Sequence, residues 1–247
     1  MAQQVLIRYF EKLLHSLGPQ GWWPARTRIE IILGAILVQN TAWQNAALAI
    51  AKLKENNLLT LAKLMRASIT ELETSITSAG FYRQKARTIS NFLAWLETSC
   101  RGSMRVMFAR PADELRSQLL KIKGFGPETV DAILLYAGGH PYFVADAYTR
   151  RILARHGLVS AKSGYADVQE FLRHHLPPDP ALFNEYHALL VEVAKRYCKR
   201  QAALCERCPL EEFLTEKAEP LPPTHSALAQ PRMERTRGLD ERRPGSI

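Results

Sequence analysis

Long apolar runs are missing from this chain of 247 residues, and that excludes a helix able to span a bilayer. Runs that alternate apolar and polar residues are scarce as well, which argues against a half-buried sheet. Cysteine is sparse, at four residues. The first residues, Met1-Ala2-Gln3-Gln4-Val5, lack a basic start leading into an apolar run and do not read as a secretory signal. Few cysteines without an export signal point to a reducing compartment, with thiols free or on a metal. A bacterial-type cytoplasm is the simplest expectation. There is no internal repeat.

What is present is helical spacing almost throughout, as in Val5, Leu6, Tyr9, Phe10, Leu13 and Leu14, and again in Ile29, Ile32, Leu33, Ile36 and Leu37. Gly and Pro punctuate the pattern near residues 18–24, 80, 102, 111, 124–127, 138–141, 157 and 177–180. The expectation is an all-α fold of roughly ten short helices. Pro111-Ala112-Asp113-Glu114 reads as a helix start, with acids favoured in its first turn. From about residue 215 the chain turns rich in proline and charge and poor in apolar residues, so 215–247 is expected to be a disordered tail after a folded unit at 1–214.

The formal net charge is +9 and the pI about 9.5. The tail holds six Lys and Arg against five Asp and Glu, so nearly all of the excess falls on the folded body, where it can line a face for a polyanion.

The most informative stretch is Leu119-Leu120-Lys121-Ile122-Lys123-Gly124-Phe125-Gly126-Pro127-Glu128-Thr129-Val130-Asp131-Ala132. Two glycines one residue apart stand between helical patterns, where they permit a left-handed turn and close approach of another backbone. Pro127 suits the first turn of the second helix, where its missing N–H costs nothing. The N–H groups of Gly124, Gly126 and the following turn would then face outward at a helix N-terminus, ready for a phosphate. A turn of this kind without a ligand is about as common.

Further on lies Tyr142-Phe143-Val144-Ala145-Asp146-Ala147-Tyr148-Thr149-Arg150-Arg151. A lone Asp after an apolar run is usually a helix cap. Together, however, the hairpin at 122–130 and the Val144-Ala145-Asp146-Ala147-Tyr148 segment resemble the helix-hairpin-helix DNA glycosylases, the endonuclease III superfamily. The resemblance runs from about residue 25 to 210. It implies a two-lobed helical fold with a cleft, double-stranded DNA carrying a damaged base as partner, no membrane, a monomer, and Asp146 as the catalytic carboxylate.

One position departs from that pattern. Bifunctional members carry, just before the hairpin threonine, a lysine that attacks the sugar C1′ and leads to strand cleavage. Here that position is Glu128, and a carboxylate cannot form an imine. Lys121 and Lys123 fall on the other limb. The resemblance with this change implies a monofunctional enzyme, with Asp146 stabilising the oxocarbenium-like sugar as the base departs. A bifunctional glycosylase using another amine, and a DNA-structure binder without chemistry, are the alternatives.

Tryptophans at 22, 23 and 43 can be core or interface anchors. Yet Trp22-Trp23-Pro24 together with Leu37-Val38-Gln39-Asn40-Thr41-Ala42-Trp43 resembles the 3-methyladenine DNA glycosylase III branch, in which such aromatics sandwich the excised base. An alkylated purine is cationic, so aromatic faces attract it by ~0.5–2 kcal/mol. By the same resemblance Gln39 enters the space left by the flipped nucleotide. Phe81, in Ala79-Gly80-Phe81-Tyr82-Arg83-Gln84-Lys85-Ala86, wedges toward the orphaned base and offsets part of the unstacking cost. Lys85, Lys123, Thr129 and Arg151 are candidate DNA or local charge partners.

Cys198, Cys205 and Cys208 match the first three ligands of the superfamily's [4Fe–4S] motif, C-x6-C-x2-C-x5-C, and the fourth position is Leu214. Cys100 is distant, near a helix end. A cluster with a non-cysteine fourth ligand, a zinc ion with three thiolates and another donor, and an empty loop all remain open, with the cluster slightly favoured.

Overall fold

The computed structural model describes residues 2–214, so the tail at 215–247 lies outside the described residues. Among these residues twelve α-helices form: α1 (Ala2–Leu17), α2 (Arg28–Leu37), α3 (Trp43–Glu55), α4 (Leu61–Leu64), α5 (Ile69–Ser75), α6 (Tyr82–Cys100), α7 (Met104–Phe108), α8 (Ala112–Leu119), α9 (Pro127–Ala132), α10 (Ala147–Arg155), α11 (Tyr165–His175) and α12 (Pro180–Arg196). A π-helical turn, Ile133–Ala137, extends α9. The described residues contain no sheet, only an isolated bridge between Cys198 and Ala203. No helix in them is long and apolar enough to cross a membrane.

There are more helices than the Gly/Pro punctuation predicts, because hydroxyl caps start the short ones. Ser68 accepts from Glu71 N while Glu71 reaches back to Ser68 N, a capping box opening α5. Ser103 caps α7 by accepting from Val106 N. The proline signals hold: Pro111 immediately precedes α8, and Pro127 opens α9.

The helices form two lobes. Helices α2, α3, α5, α6 and α7 pack together with the 3-10 turn Thr77–Ala79, while α1, α10, α11 and α12 form the second group. The segment from α9 through the π turn touches α2 on one side and α11 and α12 on the other. One continuous core runs through both groups. Helix α2 is its centre, with Ile32 through Leu37 all buried. Each such leucine or isoleucine contributes about 2 kcal/mol by leaving water.

A buried ion pair fixes the helix after the hairpin. Asp131 is fully buried and accepts from Arg116 Nε at 2.7 Å and Nη2 at 3.1 Å, and from the Tyr165 hydroxyl at 2.8 Å. These contacts join α9 to α8 and α11. Burial alone would make the carboxylate costly, and a guanidinium with a hydroxyl satisfies it.

Candidate active site

The hairpin turn occupies residues 120–126, between α8 and α9. Gly124 adopts φ +103°, a conformation reserved for glycine, and a Cβ there would stand 2.2 Å from Thr88 Oγ1 on α6. Asn91 Nδ2 donates to Lys123 O at 3.0 Å, and the Phe125 ring stacks on Phe92 at 5.9 Å. The hairpin is thus bolted to α6. Gly126 behaves differently from the two-glycine expectation. It is extended, at φ −104° and ψ 170°, and serves as the N-cap of α9 with open space where a side chain would be. Only one of the two glycines makes the left-handed turn, and the other leaves the helix start uncovered. Thr129 is buried.

Asp146 is the N-cap of α10, so the cap reading is structurally true. Its Oδ1 accepts from Thr149 N at 2.8 Å, and its Oδ2 lies 3.5 Å from His187 Nε2 of α12. One oxygen caps and the other is left for something else. Burial would lift this carboxyl, but His187 and the Thr149 N–H more than offset it and hold it below the usual carboxylate range. Glu128 behaves oppositely. Burial raises its carboxyl and the charge of Asp146 raises it further, against His187, Arg150 and a hydrogen bond with Gln39. Two neighbouring acids are driven apart, one toward the ionised form and one toward the neutral.

Beside them is an aromatic cluster. Trp22, Trp23 and Trp43 meet with ring centroids 5.1–5.5 Å apart, and Tyr136 of the π turn packs on Trp23 at 5.1 Å. All three indoles are half-buried. Trp23 lies so close to α2 that a Cβ on Gly34 would be 2.9 Å from its Cζ2. Lys195 Nζ lies 5.9 Å from the centroid of Trp22.

Two residues at the site were not singled out from the sequence, Tyr136 and His187. Tyr136 donates to or accepts from His187 Nδ1, in a hydrogen bond that joins the π turn to α12. Both side chains fall on apolar helical stripes and read as core. The available signal was a polar His inside the buried run Tyr186-His187-Ala188-Leu189-Leu190.

The remaining candidates are placed as follows. Phe81 is 67% exposed and left-handed at φ 45°, directly after Gly80 at φ +65°. A non-glycine residue in that region costs of order 1–3 kcal/mol, and here it projects an apolar ring into solvent. Gln39 follows α2 and its Nε2 approaches Ala35 O at 3.5 Å. Lys85 differs from a surface phosphate partner: it is 6% exposed, with Nζ donating to Leu37 O at 2.9 Å and Ala79 O at 2.7 Å. Arg151 donates to Cys198 O at 2.8 Å and lies over the Tyr148 ring. Lys121 and Lys123 are exposed.

Cys198, Cys205 and Cys208 line one small cavity together with Leu214. Arg155 Nη1 donates to Cys198 Sγ at 3.1 Å, and burial raises the Cys208 thiol. His156 also borders the cavity, but its Nδ1 is engaged by the Tyr9 hydroxyl at 2.9 Å. Three thiols, an aliphatic side chain and a guanidinium on one sulfur do not fit a four-thiolate cluster. Among the described residues no group of three or more His, Cys, Asp or Glu side chains is arranged to hold a metal ion.

The geometry has clear relatives. A DNA repair glycosylase of Methanocaldococcus jannaschii, so described provisionally, is 40% identical over 216 residues, spanning 87% of this chain and 97% of that protein. Endonuclease III of Thermotoga maritima is 31% identical over 181 residues, 73% of this chain and 79% of that one. Among solved structures, a trapped endonuclease III–DNA covalent intermediate superposes with a TM-score of 0.72 at 24% identity, covering 87% and 96% of the two chains. The H. pylori 3-methyladenine DNA glycosylase bound to 1,N6-ethenoadenine gives 0.68 at 23%, covering 79% and 97%. These two likenesses establish the fold. Residues 33–178 match the HhH-GPD superfamily of base excision DNA repair proteins, and the chain belongs to that family as a DNA glycosylase.

Proposed function

We propose that this glycosylase is monofunctional and releases alkylated purines from DNA, with Asp146 as its catalytic carboxylate. The observation that carries this is the split pair at the site: an ionised Asp146 with one oxygen uncommitted to the cap, and Glu128 where bifunctional relatives hold an amine. The target nucleotide leaves the helix, and Phe81 and Gln39 take the vacated stack. The base enters among Trp22, Trp23, Trp43 and Tyr136, whose faces favour a cationic ring. As the N-glycosidic bond breaks, its electrons go to the base and positive charge grows on the sugar. Asp146 stabilises that charge, and water adds at C1′ and releases its proton to solvent. No imine forms at the position of the relatives' amine, because Glu128 has no nitrogen, and Lys85 is committed to two carbonyls.

The chain's partner in this reading is double-stranded DNA, gripped through the backbone at the hairpin. The cysteine loop is held by Arg151 and Arg155 and supplies nothing to the chemistry.

Base release from dimethyl-sulfate-treated duplex DNA is the test. Methylated purines should be freed by the wild type, and Asp146→Asn should cut release by about a hundredfold or more. Borohydride should trap no covalent adduct. A trapped adduct would support an amine elsewhere and a bifunctional enzyme. Because Asp146 sits below the usual range, release should hold steady from neutral pH down through the ordinary carboxylate value of ~4 and fall only below it.

A further inference from the structure

Resting on the reading of Asp146 as the catalytic carboxylate, we propose that His187 is its positioning residue, with Tyr136 holding the imidazole in the tautomer that carries hydrogen on Nε2. His187 is 6% exposed on α12. Its Nδ1 meets the Tyr136 hydroxyl. Its Nε2 lacks a full hydrogen bond in the protein, yet stands 3.5 Å from Asp146 Oδ2. A buried ring nitrogen without a partner is costly, so its direction is informative. It is aimed at the oxygen that the helix cap leaves over.

The carboxylate decides the tautomer: Asp146 Oδ2 can only accept, so the nitrogen facing it, Nε2, carries the hydrogen. Nδ1 is then an acceptor, and the Tyr136 hydroxyl donates to it. Such an outer partner orients an acidic group and supports its ionised form, as the second layer does around metal ligands. Contacts of this sort are often long before substrate binds and tighten afterwards.

The π turn is what brings the phenol there. It re-registers the helix after α9, and Tyr136 falls between Trp23 at 5.1 Å and the His187 ring at 6.0 Å. Local π turns recur at functional sites for this reason. A base packed against Trp23 therefore presses on the same side chain that sets the imidazole, and pocket and carboxylate are mechanically joined.

The titratable groups facing His187 are Asp146 at the start of α10, Glu128 of α9 and Tyr136 of the π turn, with Arg150 acting on Glu128. The Phe143 ring also packs on it and is uncharged. Losing the His187 donor should let burial lift the Asp146 carboxyl, moving the acid limb of the release–pH profile upward.

The experiment uses the full chain, single-turnover release from dimethyl-sulfate-treated DNA, and 15N NMR of the imidazoles. His187→Leu should slow release about ten- to a hundredfold and raise the acid limb, while His187→Gln, which keeps a donor, recovers much of both. Tyr136→Phe should cost several-fold and shift the limb the same way, and it keeps the ring should the leucine variant not fold. The wild-type spectrum should contain a signal of an imidazole with hydrogen on Nε2 that is lost in His187→Gln and altered in Tyr136→Phe. A His187 imidazole protonated on Nδ1 overturns the proposal whatever the lesion. So does a slow His187→Leu enzyme whose acid limb has not moved and which glutamine fails to rescue. If Asp146→Asn retains release, the underlying reading and the proposal fall together; if it abolishes release while His187→Leu changes neither rate nor limb, only the proposal falls.

Discussion

The hairpin and the cysteine loop are both motif-bearing turns, and they are held in opposite ways. The hairpin carries its geometry in its own residues: Gly124 at φ +103° admits no side chain, and Thr88 leaves no room for one. The loop after α12 has only two three-residue 3-10 turns and the Cys198–Ala203 bridge. It is held from outside, by Arg151 and Arg155 of α10, by Lys12–Glu212 at 2.7 Å, and by Phe213 against Tyr9 at 4.7 Å. A motif written in backbone stereochemistry survives alone. A motif written as a shared ligand set depends on every member, and here contacts from neighbouring helices hold the loop.

The largest effect should come from the hairpin side. Asp131→Ala strands Arg116 and Tyr165 and should cost about 3–5 kcal/mol, read by denaturant unfolding. A loss under 1 kcal/mol would mean that α9 is not anchored there. Gly124→Ala combines a forbidden φ with a clash at Thr88 and should cost about 2–4 kcal/mol, with DNA affinity falling too. Intact stability would show the hairpin to be more plastic than the loop, reversing the comparison.

Arg155→Ala removes donors from Cys198 Sγ, Lys199 O and Arg200 O, and should cost about 1–2 kcal/mol. Limited proteolysis should then gain a cut within residues 198–208 that the wild type lacks. No new cut there would sink the idea that arginines hold the loop. Leu214→Cys should barely change stability before reconstitution but give iron binding and visible absorbance after it. Iron content no higher than the wild type's would mean that the loop has drifted from the four-ligand geometry.

Much of this was legible because it was local. Pro127 at a helix start, Cys100 at a helix end and the left-handed Gly124 follow from stereochemistry within a few residues. Asp146 was legible as a helix cap, and one oxygen makes that cap while the other faces His187. What stayed hidden depends on distance along the chain. His187 is brought to Asp146 by the packing of α10 on α12, and nothing near residue 187 reports that. Tyr136 owes its place to a π turn that no periodicity announces. Lys85 resembles any helical lysine until its carbonyl partners are seen.

That lysine has a consequence for the spacing of two candidate residues. Leu37 ends α2 and Ala79 ends the 3-10 turn before α6, so the one ammonium sits on the negative ends of two helices at once. Gln39 and Phe81 each lie two residues beyond those carbonyls. Their spacing is therefore gauged by a single charge, like the jaws of a caliper locked by one screw.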